Sequence, residues 1–409
     1  MRTAFALALI LAGCGGGPVA VDGGSPDGGA PTLDGGPDAG PRPAWLMDER
    51  VLVPGVGVTN HTCTDGMVCP HSENTDLINF HGGIVLVHRT AMSQVLNHNC
   101  SLRFYRSDDG GRSYQLLSFI NGPTTATYPA LGDRDLRDPS LFVLPDGRLA
   151  FKALVRTETN STRDSNVDTI TVEASSTDGG HTWSALTPIA PPTWSFWRVR
   201  PHAGTYYSAA YADGDTSVSL FSSVNGEAWT QGAQIYGVAA DTPLETELVF
   251  MPSGRMLALV RVDGTDAELL GNAGRLRTIV CWATAPYATF ACPQVLDGVR
   301  FDGHVAFFHG GRLFVIARRH FIETQDRKRT ALYELGGTLE GGPLTVIDHG
   351  DFPSAGDTAY AGAADIDADH VAVTWYSSDL VADAPWVRAL FGPTDIRAAT
   401  IDFRLIDAH

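Results

Sequence analysis

Short apolar runs separated by tight turns recur along most of the chain. Each repeat is an apolar strand, a turn of Gly or Asp residues, and a second apolar strand. Six segments share this pattern: 79–89, 144–154, 201–211, 251–261, 309–319 and 365–376. Val, Leu, Ile, Phe, Tyr and Trp dominate the runs, and no long amphipathic helix pattern competes with them. The pattern predicts an all-β protein built from hairpins.

The hairpins are evenly spaced. Their turn residues lie 50 to 64 residues apart, at Gly83, Gly147, Gly204, Gly254, Gly311 and Asp369. An interval of that size accommodates four short strands with their loops, and regular repeats of such units are typical of β-propellers. A pair of β-sandwiches is the alternative. Six similar units at nearly constant spacing favour a six-bladed β-propeller.

The first 43 residues differ in composition from the rest. Met1 and Arg2 precede an apolar run and the string Leu-Ala-Gly-Cys, which ends at Cys14. Residues 1–14 resemble a bacterial lipoprotein signal that is cut before a lipidated Cys14, and a plain secretory signal is the alternative. Residues 15–43 are mostly Gly, Pro, Asp, Ala and Ser, which predicts a disordered linker. We expect one folded domain over residues 44–409, exported and held at the bacterial outer membrane or cell surface by lipid alone.

The charge balance excludes several kinds of partner. There are 29 Lys and Arg residues against 46 Asp and Glu residues, a net charge of −17. Nucleic-acid binding is excluded because phosphate neutralisation needs clustered basic side chains, and so is binding to a membrane through a polybasic surface. The sequence has no phosphate-binding glycine loop between a strand and a helix. We therefore predict no cofactor, no metal, no nucleic-acid partner and a monomeric state.

Five cysteines follow Cys14. Because export favours disulfides, we expect Cys63 to pair with Cys69 and Cys281 with Cys292, since each pair closes a short loop. Cys100 is then left as a free, buried thiol. A zinc site formed by Cys63 and Cys69 with His61 and His71 is the alternative, but its spacing is not that of a standard zinc finger.

A second repeat follows some of the hairpins. The strings SDDGGRSY (107–114) and STDGGHTW (176–183) both read S-x-D-x-G-x-[ST]-aromatic, and SSVNGEAW (222–229) is a degenerate copy with Val224 at the Asp position. The repeat resembles the Asp-box of bacterial sialidase-like propellers. Its Asp and Ser bind turn amides and its aromatic side chain packs between strands, so we assign no catalytic role to Asp109 or Asp178.

The resemblance to the sialidase superfamily extends over about residues 50–400. It rests on the six hairpins, the Asp-boxes and the strings DLRDPSLFVLPDG, ETELVFMPSGRMLALVR, GDTAYAG and TWYSSD. It implies a propeller that acts on or binds carbohydrate, with a Tyr nucleophile assisted by a Glu, an Asp acid/base, and three Arg residues that hold a substrate carboxylate.

A common register suggests which residues these are. The residues nine positions before the turn residues are Asn74, Asp138, Ser195, Glu245, Asp302 and Tyr360. This register places three candidate catalytic residues, Tyr360, Glu245 and Asp138, at one end of the channel, with Glu247 as the alternative partner of the tyrosine. A phenol is a weak nucleophile until a carboxylate accepts its proton, and a neutral phenol does not repel an anionic sugar.

Arginines are the candidate substrate ligands because a guanidinium binds a carboxylate bidentately. Arg89, Arg261 and Arg318 lie at the ends of second strands, and Arg137 and Arg198 lie near the same face.

The sequence departs from the family pattern at two places. The first predicted inner strand lacks the Arg that the family carries there. The loop 90–100 lacks an Asp or Glu, which leaves His98, Asp135 and Asp138 as candidate proton donors. A glycoside hydrolase is therefore the first hypothesis. A propeller that binds glycans or a protein without catalysis is the second, and a structural envelope protein is the third.

Overall fold

The computed structural model describes residues 42–59, 62–95, 97–157, 169–212, 216–264, 276–321 and 327–406. The predicted signal, the lipidation site Cys14 and nearly all of the predicted linker lie outside them. Within the described residues the regular secondary structure is almost entirely β-strand. The helical elements are short: α1 (Trp386–Ala389) and two 3-10 turns (Ala239–Asp241 and Phe403–Leu405). No helix in this part of the chain is long and apolar enough to cross a membrane.

The strands form five hydrogen-bonded sheets in the described part of the chain. Sheet A contains β1 (Leu46–Val53), β2 (His71–Phe80), β3 (Gly83–Ala91), β4 (Cys100–Ser107), β5 (Gln115–Asn121), β23 (Thr358–Asp365), β24 (His370–Ser378) and β25 (Thr394–Asp402). Sheet B contains β6 (Arg134–Val143), β7 (Leu149–Thr157), β8 (Ile170–Ser176) and β9 (Thr187–Pro188). Sheet C contains β10 (Trp194–Phe196), β11 (Arg200–His202), β12 (Thr205–Ala212), β13 (Val218–Ser223) and β14 (Thr230–Tyr236). Sheet D contains β15 (Pro243–Phe250), β16 (Met256–Val262), β17 (Arg277–Ala283) and β18 (Ala291–Asp297), and sheet E contains β19 (Asp302–His309), β20 (Arg312–Phe321), β21 (Arg327–Gly337) and β22 (Leu344–Asp351).

The sheets are arranged in a ring, as in a propeller. Strand β2 packs on β6, β10 on β7 and β8, β12 on β15, β15 on β19, β19 on β23, and β23 on β2. The apolar core is divided into clusters that lie between neighbouring sheets, such as the contact of Phe104 with Phe151 and Trp183 between sheets A and B. A ring of this kind buries both faces of every sheet, which explains why strands such as β3 and β16 are mostly apolar and are buried along their whole length.

All six predicted hairpins are present, but the predicted first and sixth units share one sheet, so the sheets number five and not six. The physical reason is one parallel backbone pairing, between His71 at the start of β2 and Thr394 at the start of β25. The N-terminal strand β1 completes the sheet from outside by pairing with β25.

Most inner strands carry an irregularity near the point where they begin. The pairing register shifts between Glu73 and Asp76 in β2, and equivalent shifts occur in β6, β15, β19 and β23. In sheet C the inner strand is interrupted altogether, between β10 and β11. Bulges change the direction of side chains and are frequent next to active sites. The residues inside them include Asn74, Asp138, Glu245, Gly303 and Tyr360.

The turns at Asp109 and Asp178 are built alike. Asp109 accepts hydrogen bonds from Ser107, from Ser113 N (2.9 Å) and from Ser113 Oγ (2.6 Å). Asp178 accepts the equivalent bonds from Ser176 and Thr182. Both turns lie at the end of the sheets where the hairpin turns are.

The degenerate third turn uses a different residue from the one predicted. Val224 occupies the expected Asp position, but the acceptor in this turn is Asn225. Asn225 Oδ1 accepts hydrogen bonds from Ser223 Oγ and Ala228 N. This turn is one residue shorter between its serine and its glycine, since Gly226 N bonds to Ser223 Oγ.

Two disulfides join Cys63 to Cys69 and Cys281 to Cys292. Cys100 is a free, buried thiol, and burial raises its pKa to about 12. The thiols that the alternative zinc site would need are thus bonded to each other.

Candidate functional site

A tyrosine and a glutamate from the two strands that flank sheet E in the ring form the centre of the site. Tyr360 Oη, on β23, donates a hydrogen bond of 2.5 Å to Glu245 Oε1, on β15. The other oxygen, Glu245 Oε2, accepts from Arg261 Nη1 at 2.7 Å and from the backbone N–H of Gly303 at 2.9 Å. The carboxylate is therefore fixed on both sides, with one oxygen directed at the phenol.

Gly303 is needed at its position for two reasons. Its φ of +55° lies in the left-handed region, where a Cβ is unfavourable. A Cβ added there would lie 2.4 Å from Cδ2 of Tyr360, so the tyrosine ring packs directly on the glycine. Tyr360 itself has a φ of +48°, because it lies in the bulge of β23. The two bulges thus hold the phenol against Glu245.

The environment keeps the phenol protonated in the resting state. Burial, followed by the charge of Glu245, raises the pKa of Tyr360 well above its ordinary value, although Arg261 and Arg318 act in the opposite direction. Guanidinium groups on two sides of the ring oppose that rise: Arg318 lies 5.3 Å from the ring centroid, and Arg261 Nη1 lies 3.3 Å from the hydroxyl. Removal of the phenolic proton therefore requires its transfer to Glu245.

Asp138 lies across a small cavity from the phenol. The cavity is lined by Asn74, Thr75, Asp138, Pro139, Lys152, Trp197, Arg198 and Tyr360. Burial raises the pKa of Asp138, which favours the protonated acid, and the amide of Asn74 donates a hydrogen bond to its Oδ1. A protonated carboxyl beside a cavity has the properties of a general acid.

A buried lysine contacts the backbone of Asp138. Lys152 Nζ donates to the backbone oxygens of Asp138 (2.8 Å) and Phe196 (2.7 Å), and so fixes the bulge that carries Asp138. Burial lowers the pKa of Lys152 to about 7. Trp197, 5.8 Å from this ammonium, forms an aromatic wall of the cavity.

The two arginines closest to the tyrosine are already bonded to protein carboxylates. Arg261 binds Asp263 in a bidentate manner, with bonds of 2.8 and 3.0 Å, besides its contact with Glu245. Arg318 binds Asp357 Oδ1 at 3.1 Å, Tyr376 Oη at 2.9 Å and the backbone oxygen of Thr358.

The other three predicted arginines are paired in the same way. Arg198 bonds to Asp76 and to the backbone oxygen of Ala361. Arg89 bridges Glu73 and Asp135, and Arg137 bonds to Asp135 at 2.8 Å. Each predicted substrate ligand therefore has a carboxylate of this chain as its partner.

The sequence offers Asp135 as an alternative proton donor and Glu247 as an alternative partner of the tyrosine, and neither lies beside the phenol. The flanking guanidiniums outweigh burial and lower the pKa of Asp135 to about 2, so it is an ionised ion-pair partner and not a proton donor. Glu247 is buried against Trp197 Nε1, at 3.1 Å, and Arg200, so it does not face Tyr360.

Sequence reasoning missed several residues. The fixed nine-residue offset selects Ser195 and Asp302, but the interruption in sheet C places Trp197 at the site, next to the predicted Arg198. Asp302 lies beside the bulge, in an ion pair with Arg300 and in contact with His320 Nε2 at 2.9 Å. No sequence signal singled out Lys152, which looks like one polar residue in an apolar strand.

No protein family matches the sequence, and no curated protein does. Solved structures match in fold. A protein of unknown function from Dyadobacter fermentans has a TM-score of 0.61 and 16% identity, over 87% of this chain and 97% of that one. The NanB sialidase of Streptococcus pneumoniae (K499G mutant) has a TM-score of 0.59 and 11% identity, over 82% and 69% of the two chains.

The sialidase of Trypanosoma rangeli has a TM-score of 0.58 and 12% identity, over 88% of this chain. The match spans 60% of the trypanosomal protein. At these identities the likeness concerns the fold alone. Together with the ring of sheets, it shows that this chain has a sialidase-like β-propeller fold.

Proposed function

We propose that this protein is a retaining glycoside hydrolase in which Tyr360 is the nucleophile, Glu245 its base and Asp138 the acid/base. The observation that carries the proposal is the 2.5 Å hydrogen bond from the phenol to Glu245. A buried tyrosine needs no charged partner for packing, whereas a nucleophilic tyrosine needs a carboxylate in this position. We also propose that sheet A is two blades joined at one residue pair, which gives six blades, and that the Asp109 and Asp178 turns are Asp-boxes.

The reaction takes place in two steps. In the first, Tyr360 Oη attacks the anomeric carbon as its proton passes to Glu245, and the glycosidic bond breaks as Asp138 gives its proton to the leaving oxygen. In the second, water attacks the anomeric carbon and gives a proton to the Asp138 carboxylate. The tyrosine leaves as a phenolate and recovers its proton from Glu245. The raised pKa of Asp138 supplies the acid form that the first step needs.

The paired arginines bear on the class of sugar. A carboxylated sugar would have to displace or share the carboxylates of Asp263 and Asp357, which Arg261 and Arg318 already bind. The substrate class is therefore tested with both neutral glycosides and a sialoside. Turnover of any one of them identifies the sugar.

The test uses a panel of chromogenic substrates, made up of neutral glycosides and a sialoside. Hydrolysis of the panel is measured with the wild type, Tyr360→Phe and Glu245→Gln. We expect each variant to lose at least about 10²-fold in kcat, and the double variant to lose no more than the worse single one, because the two residues act as a unit. Tyr206→Phe is the matched control, since it removes a hydroxyl that bonds to Val143 O in sheet B. Mass spectrometry of the trapped intermediate should place the sugar on Tyr360. Full turnover in Tyr360→Phe would exclude the mechanism.

Binding of glycans without catalysis is the second candidate function, favoured by the complete pairing of the five arginines. In that case the wild type hydrolyses no member of the panel but binds a glycan at the cavity of Asp138 and Trp197. Trp197→Ala should then abolish binding in a glycan array or by calorimetry.

We also propose that Cys14 is lipidated, that residues 15–43 are a flexible linker, and that the domain is a monomer at the cell envelope. Strand pairing indicates how such a domain is presented: Leu46 pairs with Ile401, Ile401 with Val371, and Val371 with Asp365, at the far end of β23 from Tyr360. The folded domain thus begins at the end opposite the site. Cys14→Ser should move the protein from the membrane fraction to the soluble fraction.

A further inference from the structure

Three buried side chains that the proposed mechanism does not use converge between the two halves of sheet A. His71 begins β2, Glu73 follows on the same strand, and Asp357 directly precedes β23. His71 Nε2 lies 3.5 Å from Glu73 Oε2 and 3.8 Å from Asp357 Oδ2. The side chains are 0–2% exposed, and neither His71 Nε2 nor Asp357 Oδ2 has a hydrogen-bond partner.

The remaining polar atoms of the three residues are held by the protein. His71 Nδ1 lies 2.8 Å from the backbone oxygen of Gly392, which can only accept, so Nδ1 carries a proton and Nε2 is the ring nitrogen that faces the carboxylates. Glu73 Oε1 accepts from Arg89. Asp357 Oδ1 accepts from three donors, which are Arg318 Nη2, Tyr376 Oη and Trp386 Nε1.

This arrangement is the one that metal ligands require. A histidine that binds a metal normally donates its other ring N–H to a carbonyl or a carboxylate, and ligating carboxylates are fixed through their second oxygens. Zinc lies about 2.0–2.2 Å from nitrogen and oxygen ligands, so tetrahedral ligands are about 3.3–3.6 Å apart. The separations of 3.5 and 3.8 Å from His71 Nε2 lie in or close to this range, and all three ligand atoms lie within 4.8 Å of one another.

We propose that His71, Glu73 and Asp357 bind one divalent transition-metal ion, with Zn²⁺ as the ion that fits best. One imidazole and two carboxylates suit zinc, with water as the fourth ligand, whereas calcium takes six or more oxygen ligands. The residues form a group whose ligand atoms all lie within 4.8 Å of one another.

The ion would reinforce the connection between the two halves of sheet A. The two halves of sheet A share one backbone pairing, His71 with Thr394. An ion held by His71 and Glu73 from one half, and by Asp357 at the start of the other, cross-links the halves where the propeller closes. The role is structural, because metal that binds only the folded chain stabilises it.

The experiment uses the full chain, purified without chelator, then stripped with EDTA and titrated with ZnCl2. We expect about one zinc per chain by elemental analysis, and a higher Tm on adding zinc to the stripped protein. His71→Gln and Asp357→Asn should each lose the zinc and its effect on Tm. His349→Gln is the matched control, because His349 Nε2 also faces one carboxylate, Glu334 Oε2 at 3.0 Å, in a less buried pair; it should keep the zinc.

X-ray absorption at the zinc edge of the wild type provides a readout that does not depend on folded variants, and it should show only nitrogen and oxygen ligands. Wild-type protein that holds no zinc and gains no Tm from it would overturn the proposal. Zinc retained at full occupancy in both folded variants, or sulfur ligands in the absorption spectrum, would overturn it as well.

Discussion

Replacing Gly303 by alanine tests whether the contact between the phenol and Glu245 is the basis of activity. The new Cβ would lie 2.4 Å from Cδ2, 2.6 Å from Cε2 and 2.8 Å from Cγ of Tyr360. Carbon atoms in contact are about 3.5 Å apart, so the ring must move by about 1 Å. A shift of that size lengthens the bond from Tyr360 to Glu245 from 2.5 Å to about 3.5 Å, outside hydrogen-bond range.

The expected magnitudes separate activity from stability. A misplacement of 1 Å at a reacting group costs about 10²-fold in rate, which is about 2.7 kcal/mol in the barrier. Alanine at a φ of +55° also costs about 1–2 kcal/mol of folding free energy. Gly204→Ala is the matched control, since Gly204 has a φ of +78° but nothing within 4 Å of its would-be Cβ. It should lose similar stability and no activity.

The assay is kcat on the best glycoside of the panel, with urea unfolding of all three proteins measured in parallel. We expect Gly303→Ala to lose about 10²-fold in kcat while remaining folded, and Gly204→Ala to match the wild type within about twofold. Unchanged kcat in Gly303→Ala would show that the position of the phenol does not limit the reaction, and would refute the reasoning.

Three further predictions concern charge and the turns. Because burial raises the pKa of Asp138, kcat/KM should fall as the pH rises through that pKa. Asp138→Asn should lose about 10²–10⁴-fold in kcat on a substrate with a poor leaving group but far less on a dinitrophenyl glycoside. Equal losses on both substrates would contradict the role of Asp138 as the acid. Burial lowers the pKa of Lys152 to about 7, below the value of about 10.4 in the unfolded chain. Between these two pH values the native state binds fewer protons than the unfolded state. The contribution of Lys152 to the free energy of unfolding therefore rises with pH, by up to about 1.4 kcal/mol per pH unit. Urea unfolding at pH 7.5 and 9.5 should show this rise in the wild type and not in Lys152→Met, and an equal rise in both would assign it to another group. Asp109→Ala removes the acceptor of the turn at Ser113 and should lower Tm with kcat unchanged, whereas a loss of kcat would connect that distant turn to the site.

The sequence alone determined the repeating unit of the fold. The short apolar runs and their Gly or Asp turns predicted all six hairpins, because a hairpin is a local structure that depends on neighbouring residues. The strings 107–114 and 176–183 form the same turn, since their hydrogen bonds join residues two to four positions apart. The common offset also selected Tyr360, Glu245 and Asp138 as residues near one face.

The tertiary structure decided which of these side chains meet, because contacts across the ring join residues more than a hundred positions apart. The bond between Tyr360 and Glu245 spans 115 positions and depends on bulges in two strands, which the residue pattern does not reveal. The interruption of the inner strand in sheet C placed Trp197 and Arg198 where a fixed offset selects Ser195. The partners of the five arginines also depend on tertiary structure, since a guanidinium at a strand end binds whichever carboxylate the neighbouring sheet brings within reach.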